Sequence, residues 1–190
     1  MEKYRELELF FIDKILGAFS TYDMEALDSG LKRLKKGDTY VEVGTQHGRS
    51  IYCATQLAPK GVKFVAVDIY DPPGTDKLMS RDKFFKSTGL DKQVTYINKP
   101  SAEAAADWEG TIDMMFIDAD HSYEGVKLDV DSWTKFVKPG GYLYFHDADE
   151  TSPGVVQLVK EMGKSGDYDE LTFYKQTLGK NTSMASLRKK

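Results

Sequence analysis

One stretch of the chain decides its fold, and it reads Val41-Glu42-Val43-Gly44-Thr45-Gln46-His47-Gly48-Arg49-Ser50. The residues before Gly44 are rich in β-branched types and predict a strand, whereas segment 49–58 has the pattern of a helix. A helix N-terminus presents unpaired backbone N–H groups and the positive end of the helix dipole. We therefore expect a turn between Gly44 and Gly48 that holds a nucleotide-like ligand against the main chain.

Length, composition and charge indicate an ordinary globular protein. The 190 residues suffice for one domain, in which we expect a helical cap over residues 1–37 and an α/β core over residues 38–190. A formal net charge of -4 argues against a dedicated nucleic-acid surface. The N-terminus lacks a signal-peptide pattern, and no apolar run approaches the roughly 20 residues of a membrane span. We therefore expect a cytoplasmic protein without nucleic-acid or membrane partners.

Two helices are predicted ahead of the glycine stretch. The first covers residues 2–19, where apolar residues recur on one side. The second starts at Asp23 as its N-cap and ends at the cations and glycine of Lys35-Lys36-Gly37. The pair either covers a sheet edge or forms part of a substrate lid, and we favour the covering role.

From Thr39 onward, short apolar runs alternate with amphipathic segments. We predict strands at residues 39–44, 63–69, 94–98, 112–119, 142–147, 171–178 and 182–187. We predict helices at residues 49–58, 76–88, 101–108 and 123–137, and a further one that opens at Ser152-Pro153. Ser101 is expected to cap the helix that it starts.

This alternation predicts an α/β fold with a Rossmann-like, doubly wound sheet. Apolar strands separated by helices indicate parallel strands that are joined by right-handed crossovers. The last two strands are separated by Gly179-Lys180-Asn181, which has the pattern of a hairpin turn. We therefore predict seven strands, mostly parallel, with an antiparallel C-terminal hairpin strand and additional N-terminal helices.

Acidic residues and two histidines stand where the predicted parallel strands end. The carboxyl ends of such strands meet at one edge of the sheet, where ligands bind. The residues at this edge are Glu42-Val43-Gly44, Asp68, Asn98-Lys99-Pro100-Ser101, Asp118-Ala119-Asp120-His121 and His146-Asp147-Ala148-Asp149. Scattered surface charges would not follow strand ends this closely, so we expect a functional site here.

Asp68 is the candidate for binding a ribose. It lies 24 residues beyond Gly44, about the spacing at which a carboxylate meets a ribose held over the first turn. An aspartate that caps the next loop is the alternative. Gln46 takes the place of the middle glycine of a dinucleotide fingerprint. A phosphate-free nucleoside such as S-adenosylmethionine therefore fits better than a dinucleotide.

Taken in order, these residues resemble a known family of enzymes. The set comprises Glu42-x-Gly44-x-x-x-Gly48-x-Ser50, Asp68, Phe116-Ile117-Asp118-Ala119-Asp120-His121-x-Tyr123, Gly140-Gly141 and His146-Asp147. It resembles class I S-adenosylmethionine-dependent methyltransferases. The small O-methyltransferases of the catechol, caffeoyl-coenzyme A and macrocin sugar kinds are the most similar types. The resemblance covers roughly residues 39–188 and includes the terminal hairpin.

The resemblance implies a set of cofactor-binding residues. These are Glu42, Gly44, Thr45, Gln46, Gly48, Ser50, Asp68, Ile69, Ser101, Ala102 and Asp118. In such enzymes the acidic residue and the glycine turn hold the methionine part of the cofactor, and the position of Ser50 contacts its carboxylate. The position of Asp68 binds the ribose hydroxyls, and those of Ser101 and Ala102 lie along the adenine.

The resemblance also implies the residues that carry out the chemistry, with His121 and Asp118 as the catalytic pair. His121 takes the position of a lysine general base, and an imidazole accepts a proton readily near neutral pH. A histidine that caps the next helix is the alternative. Asp118 and Asp147 match carboxylates that bind Mg²⁺ or Ca²⁺ in metal-dependent members. Ala148 occupies the position of the usual third metal ligand and has no side-chain ligand atom. The sequence therefore leaves open whether a metal binds.

The sequence therefore predicts a methyltransferase that acts on the hydroxyl of a small molecule or a sugar. A nicotinamide-dependent oxidoreductase and a non-catalytic S-adenosylmethionine-binding module are the alternatives. The identity of the acceptor is open, and we expect residues 70–75 and the two N-terminal helices to shape its pocket. The oligomeric state is also open, with a homodimer as one candidate.

Overall fold

The computed structural model describes residues 1–12, 14–69, 78–175 and 181–190. The strands are β1 (Thr39–Val43), β2 (Lys63–Val67), β3 (Val94–Ile97), β4 (Ile112–Ile117), β5 (Val137–Phe145), β6 (Tyr168–Lys175) and β7 (Asn181–Lys189). The helices are α1 (Glu2–Ile12), α2 (Thr21–Leu31), α3 (Arg49–Leu57), α4 (Arg81–Thr88), α5 (Ser101–Ala106), α6 (Tyr123–Trp133) and α7 (Pro153–Lys164). None of these helices has the length and apolar character that a membrane span requires.

The seven strands form one sheet in the order β3-β2-β1-β4-β5-β7-β6. Strands β1 to β5 pair in parallel, whereas β7 runs antiparallel to both β5 and β6. The predicted fold, a doubly wound sheet with an antiparallel C-terminal hairpin strand, is confirmed. The central parallel strands place their carboxyl ends along one edge of the sheet. This is the edge at which the sequence predicted the functional site.

Two apolar layers cover the two faces of the sheet. Tyr40 and Val41 are neighbours on β1, and they belong to different buried clusters because side chains alternate along a strand. The first cluster contains residues of α1 to α4, and the second contains residues of α5 to α7. The N-terminal helices therefore cover one face of the sheet.

The N-terminal helices begin and end at other residues than predicted. Helix α1 ends at Ile12 rather than at residue 19, and Gly17 lies at a φ of +137°, which a helix cannot contain. Ser20, and not Asp23, is the N-cap of α2: its hydroxyl accepts from the Asp23 N–H, and the Asp23 carboxylate accepts from the Ser20 N–H. Helix α2 ends at Leu31, ahead of the predicted end at residue 37.

Two later helices are also shorter than predicted. Helix α6 ends at Trp133, and β5 starts at Val137, opposite Ile112 of β4. The register then shifts between Ile112 and Met114, so Pro139-Gly140-Gly141 forms a bulge within the strand instead of ending a helix. Helix α4 begins at Arg81 rather than at residue 76. Residues 70–77 and the hairpin residues 176–180 lie outside the described part of the chain.

Gly44 follows β1 at the point where three strands end. Its N–H donates to the Val67 carbonyl of β2, and the Asp118 N–H donates to the Val43 carbonyl. The φ of Gly44 is +89°, and a Cβ there would lie 2.0 Å from the Asp118 carbonyl oxygen. Only glycine allows the turn to approach the end of β4 this closely.

We predict that Gly44→Ala destabilises the protein more than Gly37→Ala does. Gly37 has a similar φ of +95° with no atom near its hypothetical Cβ, so its replacement adds backbone strain alone. That strain costs about 1–2 kcal/mol, and the clash at Gly44 adds about 1–3 kcal/mol. Urea unfolding of both variants measures the difference. Equal losses of unfolding free energy would show that the contact with Asp118 does not constrain the turn.

Candidate active site

A cleft of about 610 Å³ runs along the carboxyl ends of the parallel strands. Most of the predicted site residues line it, namely Gly44, Gln46, Asp68, Ile69, Ser101, Asp118, His121 and Asp147. Thr45 and Ser50 line a small adjacent cavity of about 30 Å³, together with Gly44. Glu42, Gly48 and Ala102 line neither space. Most of the predicted site residues therefore lie together at the expected edge of the sheet, and their roles stay a prediction.

Asp68 lies against the turn that follows β1. The backbone N–H of Gln46 donates to Oδ2 of Asp68 at 2.6 Å, and the φ of Gln46 is +45°. This contact places a carboxylate of the β2 end beside the glycine turn. Such an arrangement suits a diol held across both elements, as the ribose prediction requires.

Glu42 lies beneath the turn rather than in the cleft. It is fully buried, and its carboxyl accepts from Ser50 Oγ at 2.6 Å and from the Tyr40 hydroxyl at 3.0 Å. Burial raises the pKa of Glu42 to about 8; these hydroxyls oppose the shift, and the negative charge of Asp118 adds to it. The Ser50 hydroxyl already donates to Glu42, so these two residues bind each other across the base of the turn.

We predict that Glu42→Gln removes a fall in stability with rising pH. The folded pKa of about 8 lies above the ordinary 4.5, so the folded state keeps a proton that the unfolded state releases. The unfolding free energy that Glu42 contributes therefore falls by about 1.4 kcal/mol per pH unit between these values. Denaturant unfolding at several pH values checks this, with the exposed Glu109→Gln as the control. A parallel pH profile for Glu42→Gln and wild type would contradict it.

Asp118, His121 and Asp147 form a compact group at one end of the cleft. His121 Nε2 lies 3.0 Å from Asp147 Oδ2 and 3.8 Å from Asp118 Oδ1. The proximity of Asp118, together with the negative charges of both carboxylates, raises the pKa of His121, although its partial burial opposes the shift. One ligand atom from each residue lies within 4.8 Å of the others, so the three could hold a metal ion. We call these residues the acidic rim.

His146 is the site residue to which sequence reasoning gave no role. Its side chain is buried, with Nδ1 3.0 Å from Asp147 and 3.3 Å from Asp118. Its Nε2 lies 3.1 Å from Ser183 Oγ and 3.6 Å from Asp23 Oδ2. Burial lowers the pKa of His146, but the carboxylates outweigh it and raise the value to about 12. The buried His146 side chain therefore links both carboxylates of the acidic rim to Asp23.

Two side chains near the cleft have other partners than predicted. Ser101 is the first residue of α5 and Pro100 is its N-cap, so Ser101 does not cap the helix. Instead, Ser101 Oγ accepts from Trp133 Nε1 at 2.9 Å. Asp149 follows Ala148 and could have replaced it as a third metal ligand, but its carboxylate accepts from the N–H and hydroxyl of Thr151 within its own turn. No contact of Asp149 with the acidic rim occurs among the described residues.

The profile of the methyltransferase-domain family matches residues 41–148, which is more than half of the chain. The chain belongs to this family. The match spans the glycine turn, Asp68, the acidic rim and His146, and the strand order is that of the predicted Rossmann-like fold. The resemblance of the sequence to class I S-adenosylmethionine-dependent methyltransferases is thereby confirmed.

Solved structures of methyltransferases share the fold of this family member. A Staphylococcus aureus protein assigned as a caffeoyl-CoA O-methyltransferase has a TM-score of 0.64 at 15% identity, covering 100% of this chain and 91% of its own. A Streptococcus mutans methyltransferase, solved with S-adenosylhomocysteine, has a TM-score of 0.62 at 13% identity, covering 93% and 100%. A Klebsiella pneumoniae protein assigned as an O-methyltransferase has a TM-score of 0.62 at 15% identity, covering 99% and 86%.

Two curated relatives are uncharacterized proteins. One, from Acanthamoeba polyphaga mimivirus, is 28% identical over 71% of this chain, and the match spans 65% of that protein. The other, from Sinorhizobium fredii, is 25% identical over 60% of this chain and 13% of that protein. The chain thus covers less than two thirds of the length of each relative.

Proposed function

We propose that this methyltransferase binds S-adenosylmethionine in the cleft and transfers its methyl group to a hydroxyl of a small molecule or a sugar. One observation carries the proposal: Asp68 and the glycine turn occupy the middle of a cleft that ends at the acidic rim. A binding site for a nucleoside and a group of proton-accepting residues therefore share one space. The S-adenosylhomocysteine complex and the O-methyltransferase assignments among proteins of the same fold support it.

The residues of the chain fit this cofactor. The Asp68 carboxylate can accept hydrogen bonds from both ribose hydroxyls, and Gly44 brings the main chain to the edge of the cleft without a side chain in the way. The net charge of -4 favours a small neutral acceptor over a nucleic acid. Ile69 and Leu128 add apolar surface to the cleft.

The chemistry asks little of the protein beyond alignment and removal of one proton. Because the sulfonium is an activated methyl donor, the acceptor oxygen forms a bond to the methyl carbon as the carbon–sulfur bond breaks. We propose that His121 accepts the hydroxyl proton. Its side chain is half-exposed toward the cleft, and Asp118 and Asp147 stabilise the imidazolium that forms.

A divalent cation also fits the acidic rim. Asp118 and Asp147 supply the oxygen ligands that Mg²⁺ and Ca²⁺ prefer, and a bound cation would polarise the acceptor oxygen. His146 already neutralises part of the same negative charge, so the rim does not depend on a metal for charge balance. His121 cannot ligate a cation and accept a proton through one nitrogen, and the experiments below separate these roles.

We predict that purified protein binds S-adenosylhomocysteine saturably and that Asp68→Ala weakens this binding at least about tenfold. Loss of a charged acceptor for two hydroxyls is expected to cost this much. Isothermal titration calorimetry provides the measurement. Asp149→Ala is the matched control, because its carboxylate bonds within its own turn and lies outside the cleft. Absence of saturable binding, or equal affinity of Asp68→Ala and wild type, would refute the proposed cofactor site.

We predict that His121→Gln lowers methyl transfer by about a hundredfold or more while the affinity for S-adenosylhomocysteine stays within about threefold. The glutamine keeps a polar side chain but cannot accept the proton. Transfer of radiolabelled methyl from S-adenosylmethionine to a panel of phenolic and sugar hydroxyls is measured with and without EDTA. Unchanged transfer by His121→Gln excludes the base role. Full activity in EDTA excludes a required metal, and loss that Mg²⁺ restores supports one.

A further inference from the structure

A buried carboxyl at the far end of the cleft has no role in the chemistry described above. Asp129, on α6, is 5% exposed and lines the cleft beside Ser101, the first residue of α5. Burial raises the pKa of Asp129, and the nearby negative charge of Asp120 adds to this shift, whereas Ser101 opposes it. Burying a carboxyl is costly unless it is bonded, so its position against the cleft calls for a partner.

The contacts around Asp129 leave acceptor capacity toward the cleft. Trp133 Nε1 donates to Ser101 Oγ, so the single proton of the Ser101 hydroxyl remains available for Asp129. The Ser101 hydroxyl is the neighbouring group that favours the charged form of this carboxyl. A carboxyl has about four acceptor positions, and a single hydroxyl such as that of Ser101 can fill one of them. The side chain is thus oriented by the protein and only partly satisfied by it.

The topology decides which part of the cofactor would reach Asp129. Along the sheet edge, the β3 end carries Ser101, the β2 end carries Asp68, and the β1 end carries Gly44. The acidic rim follows at the ends of β4 and β5, on the opposite side of Gly44. A ribose at Asp68 with its sulfur directed to the rim must direct its base toward β3, which is the Ser101 and Asp129 end.

The walls at this end suit a flat apolar ring. Ile69 and Leu128 are 66% and 55% exposed, and both line the cleft. Large apolar side chains left open to solvent inside a cleft indicate a ligand surface that covers them. An adenine ring that packs on such side chains can present its polar edge to a carboxyl.

We propose, on the basis of the proposed function, that Asp129 determines the choice of purine by accepting a hydrogen bond from the 6-amino group of adenine. Such a contact rejects a base that presents an oxygen there, because two acceptors would then face each other in a desolvated place. Asp129 is accordingly a specificity residue of the cofactor site, remote from the transferred methyl.

The test compares S-adenosylhomocysteine with S-inosylhomocysteine, in which oxygen replaces the 6-amino group. We expect wild type to bind the adenosyl compound at least about tenfold more tightly by calorimetry. Asp129→Asn keeps the shape and adds a donor, so the preference falls to within about threefold or reverses. Asp129→Ser, which is smaller and also uncharged, likewise loses the preference. Asp131→Asn, on the exposed side of the same helix, keeps it.

The outcomes separate the two proposals. No binding of S-adenosylhomocysteine by wild type refutes the proposed function and this inference together. Binding of both compounds with equal affinity by wild type refutes the inference alone. If Asp129→Asn or Asp129→Ser has a melting curve like that of wild type and still prefers the adenosyl compound as strongly, the inference is refuted. The proposed cofactor site is not affected by that result.

Discussion

The buried side chain of His146 lies between three carboxylates at the carboxyl edge of the sheet, and these carboxylates favour its charged form. Asp118 and Asp147 end neighbouring strands, and Asp23 comes from α2 on the covering layer. Without a cation among them, three carboxylates this close would repel one another in a place that water reaches poorly. His146 contacts all three through its two ring nitrogens, so this one side chain links the ends of β4 and β5 to α2.

Different ends of the sheet edge carry side chains of different chemical character. The ends of β2 and β3 present Asp68 and Ser101, which suit a bound nucleoside, whereas the ends of β4 and β5 present the charged groups that suit proton transfer. Gly44 stands between them, where the close approach of Asp118 leaves no room for a side chain. Glu42 and Ser50 brace the turn from the interior and leave the cleft itself to other residues.

The features of the fold that depend on local residue patterns could be predicted from the sequence. Apolar runs at regular intervals predicted the sheet, and the distance from Gly44 to Asp68 predicted their juxtaposition, because both follow from the repeat of strand and crossover. The predicted C-terminal end of α1 and the predicted start of α2 were wrong. Gly17 has a backbone conformation that a helix cannot contain, and the reciprocal hydrogen bonds of Ser20 fix the start of α2, although the apolar periodicity continues through both. The sequence could predict that residues from several strand ends lie together, because the carboxyl ends of parallel strands converge whatever the intervening helices do.

Features that depend on distant partners could not be predicted in this way. His146 has partners from α2 and β7, and no spacing rule connects these residues to it. The sequence therefore suggested a role for its neighbour Asp147 but none for His146. Ser101 was expected to cap α5, but the indole of Trp133, 32 residues later, determines its hydroxyl contacts. Asp129 lies in a predicted helix but belongs to no recognisable motif. Its burial beside the cleft becomes visible only in the structure, where α5 and α6 pack together.

The placement of β7 between β5 and β6 has a consequence for how the protein is made on the ribosome. Strand β6 emerges first but has no neighbour in the sheet until β7 follows it, so β5 keeps an open edge until β7 is synthesised. The hydroxyl of Ser183 on β7 then joins Asp23, 160 residues earlier, beside His146. The contact of Ser183 with Asp23 and His146 can therefore form only after β7 has been synthesised, later than the rest of the rim.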